Sequence, residues 1–172
     1  HAKCPRLRLL IAGDGPEKDK LTALAAELGV ERQVCFAGWI SGGMDRFYSA
    51  LDINALTSLS ETFPYALTEG ARFHLATVST AVGGIPYLID QDVNGYLFQP
   101  GDWQALGNDL AALGNDDELR RRLGEKLYEK ASTQFSIQKT VSTQLQIYAS
   151  ILRRHRRRSS ARDGVVICGA YG

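Results

Sequence analysis

Two glutamates, Glu61 and Glu69, are the residues of this chain whose type and spacing most suggest chemistry. They flank seven residues of the segment SETFPYALTE, and Phe63 and Pro64 lie between them. Proline favours the first turn of a helix, so the segment predicts a loop that carries Glu61 and a helix that carries Glu69. The unpaired amides of a first helical turn and the helix dipole favour an anion at such a place.

Both glutamates also have an ordinary structural explanation. Glu61 would then only balance the dipole at the start of the helix. Glu69 would lie on a solvated helical face. From the spacing alone, this pair could form a functional site or could lie on an ordinary solvated surface.

Two other segments end in glycine at the point where a strand is expected to finish. The segment AGDGP places Gly13 and Gly15 where backbone N–H groups could approach a phosphate. It lacks the third glycine of the dinucleotide fingerprint, so a plain strand-to-helix turn is the simpler interpretation. The segment AGWI holds Gly38, Trp39 and Ile40. Trp39 could flank a nucleobase or pack at the rim of the domain.

Composition limits the function classes. The chain has 172 residues, of which 44% are hydrophobic and 23% charged, enough for one domain with a real core or one domain plus the beginning of another. With a net charge of +1, the chain lacks the strong overall positive potential that would attract nucleic acid. No nucleic-acid partner is therefore expected.

Cysteines, histidines and apolar runs give no sign of a metal site, a disulfide framework or a membrane span. Three cysteines and three histidines are scattered along the chain, which fits no metal-ligand spacing and favours a reducing compartment. No apolar run approaches the roughly 20 residues of a spanning helix. We therefore expect a cytoplasmic domain without metal.

Short strands alternate with helical patterns along most of the chain. Strands are predicted at 7–13, 34–38, 52–56, 76–80 and within NGYLFQPGD, and helical leucine spacing occurs after AGDGP and from Trp103 onward. This alternation predicts an α/β fold with a parallel sheet and helices on both faces. Ligands of such sheets bind beyond the carboxyl ends of the strands, where the three segments above would lie.

The C-terminal part of the sequence differs in composition. Five arginines crowd residues 153–158. We expect a Rossmann-like domain over 1–152 and a basic linker or fraying helix end over 153–163. Residues 164–172 are expected to begin a following domain or to add a strand.

The motifs occur together and in an order that resembles glycosyltransferase family 4. The resemblance covers nearly all of residues 5–152, above all residues 7–40 and 47–102. It implies the C-terminal half of a retaining GT-B enzyme that uses a nucleotide-sugar donor (UDP-, GDP- or ADP-linked), without a metal cofactor. Residues 1–152 would then be its nucleotide-sugar-binding domain, truncated at the N-terminus. The shorter segment RDGVVICGAYG resembles the start of a polysaccharide pyruvyl transferase domain.

The resemblance also implies roles for individual residues. Glu61 matches the glutamate placed against the donor sugar, as the catalytic residue, and Glu69 the one that binds the ribose hydroxyls. Gly38, Trp39 and Ile40 match the strand end beside the nucleobase, and Gly13 and Gly15 the glycine turn facing the cleft. The loop whose amides meet the sugar and phosphate matches Thr62, Phe63, Pro64, Tyr65, Ala66 and Leu67.

The chain departs from the family pattern after Glu69. Gly70, His74 and Ala76 stand where the family writes alanine, glycine and proline. His74 is expected at a position that glycine adopts more freely. The family's basic diphosphate-binding pair and its N-terminal acceptor domain are not found here, so the isolated chain is expected to be inactive.

Three interpretations therefore stand. The first is the donor-binding domain of a hexosyltransferase that makes glycans or lipid-linked saccharides. The arginine run of its parent enzyme would contact the inner face of the membrane, or else be only a solvated linker. The second is a non-catalytic nucleotide-binding or interaction domain of the same fold. The third, a nicotinamide-dependent oxidoreductase, lacks its glycine fingerprint here.

Overall fold

The computed structural model describes residues 4–159, which alternate between strands and helices and then continue as helices. The strands are β1 (Leu9–Ala12), β2 (Val34–Gly38), β3 (Ile53–Leu56), β4 (Ala76–Thr80) and β5 (Tyr96–Phe98). The helices are α1 (Lys18–Glu27), α2 (Met44–Ser49), α3 (Tyr65–Ala71), α4 (Ile85–Leu88), α5 (Trp103–Asn115), α6 (Asp117–Gln134) and α7 (Ile137–Ser159). This element order confirms the predicted α/β class.

Among residues 4–159 all strand pairs are parallel, and the strands form two sheets where the sequence predicted one. β1 pairs with β2, while β4 lies between β3 and β5. Every residue of β4 is buried. Helices cover both sides of a central parallel strand, so its residues are buried on both faces.

Helices cover both faces of the three-stranded sheet, as the sequence predicted for a Rossmann-like fold. On one face, Ala76 and Val78 pack with Phe98, Leu113 and Leu123 in a cluster that α5 and α6 complete. α3 packs against β3 and β4 on the other face. The leucines at 106, 110, 113, 119, 123 and 127 thus belong to helices, as their spacing predicted.

Side chains at the helix ends explain several boundaries. Asp102 Oδ1 accepts a 2.9 Å hydrogen bond from the amide of Ala105, and Asp116 Oδ1 accepts one of 2.8 Å from Leu119. Both aspartates are therefore N-caps. Gly29, with φ of 65°, ends α1 in the left-handed conformation that glycine adopts freely.

The apolar stripe predicted for α1 is only partly covered. Ala25 is buried, but Leu21, Leu24 and Leu28 are exposed in this chain, as is Leu9 of β1. The spacing correctly predicted the helix. It did not determine what the helix packs against, because burial depends on a partner surface.

The chain divides into two compact units, the first ending at Ser132 and the second beginning at Thr133. In the second unit, α7 is helical through Ser159, so residues 153–159 of the predicted linker belong to a helix. Residues 160–163 and the predicted segment 164–172 lie outside the described residues. Within the described part of the chain, no helix combines the length and apolar character that crossing a membrane requires.

Candidate functional site

Glu61 lies in the loop after β3, and a serine fixes its carboxylate. Ser58 Oγ donates a 2.7 Å hydrogen bond to Glu61 Oε1. The carbonyl of Ser58 in turn accepts a 2.7 Å bond from Thr80 Oγ1, at the end of β4. The carboxylate is thereby tied to the carboxyl ends of two neighbouring strands.

The Gly83-Gly84 turn passes directly against the backbone that carries Glu61. The amide of Gly84 donates to the Glu61 carbonyl at 3.3 Å. Gly83 has φ of 54°, and a β-carbon there would overlap that same carbonyl oxygen. A β-carbon at Gly84 would overlap the carbonyl of Thr62. The glycine pair therefore lets the turn after β4 support the glutamate loop.

The loop from Phe63 to Leu67 satisfies part of its own backbone. The amide of Tyr65 donates to the Phe63 carbonyl at 3.0 Å, and that of Leu67 to the Pro64 carbonyl at 3.0 Å. Pro64 and Leu67 are buried, whereas Tyr65 is exposed and its ring packs edge-on against Phe63. These two amides are satisfied within the turn, so an anion would meet them only in competition with those bonds.

Glu69 is exposed on α3, and a buried tyrosine of α2 holds its carboxylate. Tyr48 Oη donates a 2.9 Å hydrogen bond to Glu69 Oε2. Burial of the Tyr48 ring raises the pKa of its hydroxyl, and the hydrogen bond and charge of Glu69 raise it further. Tyr48 was not among the predicted site residues. The only sequence signal was an aromatic residue with a polar end inside a short helix.

The two glycine turns predicted separately come together at the ends of β1 and β2. The amide of Gly13 donates to the Gly38 carbonyl at 2.7 Å, and both glycines have positive φ, 123° and 68°. The amide of Gly15 donates to Asp14 Oδ1 at 2.9 Å. These bonds give the segment AGDGP the geometry of an ordered turn.

Trp39 follows Gly38 and is 79% exposed, while Ile40 is half-buried. The exposure is that of a ring available for stacking. It does not support the alternative that Trp39 packs at the rim within this chain. The predicted site residues thus fall into two groups, one beyond β1 and β2 and one beyond β3 and β4.

His74 takes the left-handed conformation that glycine adopts more freely, with φ of 56°. Its Nδ1 lies 2.8 Å from Glu125 Oε2, and its ring lies 4.2 Å from that of Tyr128. Both partners belong to α6. These contacts offset the conformational cost of a non-glycine residue, and they give His74 a structural role.

Near β5, partly buried ionisable side chains and carboxylates influence one another's pKa. Burial raises the pKa of Asp109, and the carboxylates of Asp92 and Asp102 raise it further. Burial also raises the pKa of Tyr96, with a further contribution from Asp92. Among residues 4–159 no group of three or more histidines, cysteines or acids has metal-binding geometry.

Comparison with known families matches residues 2–130 to the model described as glycosyl transferases group 1. A curated relative is N-acetyl-alpha-D-glucosaminyl L-malate synthase of Bacillus anthracis, 34% identical over 146 residues, with 85% of this chain and 38% of that protein aligned. Another is the lipopolysaccharide core biosynthesis glycosyltransferase LpsE of Rhizobium meliloti, 32% identical over 149 residues, with 87% and 44% aligned. The chain spans less than half the length of these relatives.

Among solved structures, Alr3699/HepE of Anabaena in complex with UDP has a TM-score of 0.76 and 26% identity to this chain. The alignment covers 88% of this chain and 43% of that protein. The same protein has also been solved in complex with UDP-glucose. The similarity therefore extends over most of the fold described above.

Proposed function

Because this chain belongs to the glycosyl transferases group 1 family, we propose that it is the donor-binding domain of a sugar-transferring enzyme. The donor would be a nucleoside diphosphate sugar, linked to UDP, GDP or ADP. The observation that carries the proposal is the pair of glutamates, each held by a hydroxyl donor. Support also comes from Alr3699/HepE, which binds UDP and UDP-glucose.

We assign the two glutamates different tasks. Glu61 would face the donor sugar, where its carboxylate would orient hydroxyls or stabilise positive charge at the reacting carbon. The Ser58 bond leaves Glu61 Oε2 open to that contact. Glu69 would accept hydrogen bonds from the ribose hydroxyls, since a carboxylate has lone pairs beyond the one that Tyr48 uses.

The two glycine turns, at 13–15 and at 38–40, would line the part of the cleft that binds the rest of the nucleotide. The exposed ring and backbone of Trp39 would flank the base beside Gly38 and Ile40, while Gly13 and Gly15 would face the cleft. In the loop 62–67, amides that are not bonded within the turn would help stabilise the diphosphate leaving group. Transfer would retain the configuration of the sugar, a hexose, and would need no metal ion.

The whole reaction would need a second domain that binds the acceptor. The relatives are more than twice as long as the part that this chain matches, which supports such a partner domain. The isolated chain would bind nucleotide weakly without transferring sugar. The complete enzyme would act in the cytoplasm on a glycan or lipid-linked saccharide, with a peripheral contact at the inner face of the membrane.

Calorimetry or NMR titration of this chain with UDP, GDP and ADP tests the donor assignment. We expect binding of at least one nucleotide, and Glu69→Ala should weaken it about tenfold or more, because a hydrogen bond to a charged group is lost. The matched control is Glu118→Ala, which removes an exposed glutamate of α6. Absence of binding across the three nucleotides would refute the donor-binding function. Equal affinity in Glu69→Ala would remove the ribose assignment alone.

Transfer itself is tested by joining this chain to an acceptor domain of the family and assaying nucleotide release from a panel of nucleotide sugars. Turnover that Glu61→Gln abolishes would support the catalytic assignment. Nucleotide binding without turnover in every such fusion would instead favour the non-catalytic nucleotide-binding domain of the same fold.

A further inference from the structure

Tyr48 is the one buried residue of α2 and is only 3% exposed. Its ring stacks on Phe73 at 5.6 Å between centroids and meets Phe47 edge-on at 5.2 Å. Phe73 follows the end of α3, so the ring is packed between α2 and the segment after α3. The position of the hydroxyl is therefore set by packing and not by solvent.

The phenolic proton has two acceptors within reach, and the charged one should hold it. Tyr48 Oη lies 2.9 Å from Glu69 Oε2 and 3.3 Å from the Ala66 carbonyl. The Ala66 carbonyl already accepts a 3.0 Å bond from Asn54 Nδ2. A hydroxyl has a single proton, and a bond to a carboxylate is shorter and stronger than one to a neutral carbonyl. Tyr48 therefore donates to Glu69.

The hydroxyl occupies one lone pair of Oε2 and restrains a side chain that is otherwise exposed. A free glutamate loses appreciable rotamer entropy when a ligand fixes it. The bond to a buried tyrosine restricts Glu69 before any ligand arrives, and it leaves Oε1 open. Burial and the nearby carboxylate raise the pKa of Tyr48, so the hydroxyl stays a neutral donor at ordinary pH.

From this geometry we propose that Tyr48 is a positioning residue that orients Glu69 toward the ribose hydroxyls and so determines selectivity for ribonucleotides. The inference rests on the proposed donor-binding function. Tyr48 itself need not touch the nucleotide. Its effect is to aim a carboxylate that accepts from the 2′- and 3′-hydroxyls, so it should matter only for ligands that carry both.

The test compares UDP, GDP and ADP with their 2′-deoxy forms in three chains: wild type, Tyr48→Phe and Glu69→Gln. Phenylalanine keeps the packed ring and removes only the hydroxyl. We expect wild type to prefer the ribonucleotide about tenfold. Tyr48→Phe should lose most of that preference by weakening ribonucleotide binding, with the deoxynucleotide nearly unaffected. Tyr128→Phe, which removes a hydroxyl from a more exposed ring that contacts His74, is the control and should behave like wild type.

The outcomes separate this inference from the proposed function. An equal loss for both nucleotide forms in Tyr48→Phe would show a merely structural role, and a retained preference would show no role; either result overturns the inference. If Glu69→Gln also retains the preference, the ribose assignment fails with it. If the wild-type chain binds no nucleotide, the donor-binding function is refuted, and this inference is refuted with it. Should Tyr48→Phe not fold, Glu69→Asp draws the carboxylate away from Tyr48, and a preference unchanged there would equally overturn the inference.

Discussion

The carboxamide of Asn54 fills the space that a β-carbon at Gly70 would occupy. Asn54 lies on β3, is 7% exposed and donates to the Ala66 carbonyl of α3 at 3.0 Å. A β-carbon at Gly70, on the same helix, would overlap Asn54 Nδ2. Glycine at position 70, a departure from the family pattern, therefore accompanies a polar residue on the facing strand. α3 can then approach β3 while Asn54 keeps its hydrogen bond.

This relationship predicts a strong coupling between positions 54 and 70. Gly70→Ala should destabilise the chain by about 1–3 kcal/mol, since it overpacks against a side chain that is held in place. In an Asn54→Ala background the same change should be neutral or stabilising, because alanine is the better helix residue. Urea unfolding of the four chains gives the coupling energy. Additive effects would contradict the steric explanation.

Gly83 should be the least replaceable glycine of the candidate site. Gly83→Ala places a β-carbon against the Glu61 carbonyl at a residue with positive φ, so about 2–4 kcal/mol of stability should be lost, or the Glu61 loop displaced. Chemical denaturation and nucleotide titration measure the two effects. Gly101→Ala is the control, since Gly101 also has positive φ but nothing near its β-carbon position. If Gly83→Ala loses no more stability than Gly101→Ala, the close approach of Gly83 to the Glu61 carbonyl is unimportant.

Gly124 allows α6 to approach the backbone at His74. A β-carbon at Gly124 would overlap the His74 carbonyl, so Gly124→Ala should lower the free energy of unfolding by about 1–3 kcal/mol despite the better helix propensity of alanine. Gly107, inside α5, has open space around its β-carbon position. Gly107→Ala should therefore stabilise the chain by about 0.5–1 kcal/mol. Thermal unfolding measures the change in stability of each variant. A change of the same sign in both would be inconsistent with the packing described.

Tyr48 should make stability fall at alkaline pH. Its folded pKa is raised above the ordinary value of 10.0, so the folded state keeps a proton that the unfolded state releases. The contribution is therefore complete below about pH 10 and is lost as pH rises above it, by about 1.4 kcal/mol per pH unit. Urea unfolding from pH 9 to 11 should show a steeper decline for wild type than for Tyr48→Phe. Parallel declines would refute the raised pKa.

Local patterns in the sequence predicted the strands and the longer helices, and together with the family resemblance they indicated the candidate residues. Short apolar runs predicted the strands, and leucine spacing predicted helices after AGDGP and from Trp103 onward, because these features depend on neighbours along the chain. The glutamate pair and the glycines of AGDGP and AGWI were also visible as motifs. The roles of Glu61 and Glu69 stay predictions.

Only the tertiary structure decided which residues support those motifs. Tyr48 lies 21 residues before Glu69, and Asn54 lies 16 before Gly70, yet parallel pairing and helix packing bring each pair into contact. The exposure of Leu21, Leu24 and Leu28 was likewise invisible in their spacing. The physical reason is the same in each case. Periodicity specifies a helix and its apolar face, whereas hydrogen bonds and burial depend on which distant element lies against that face.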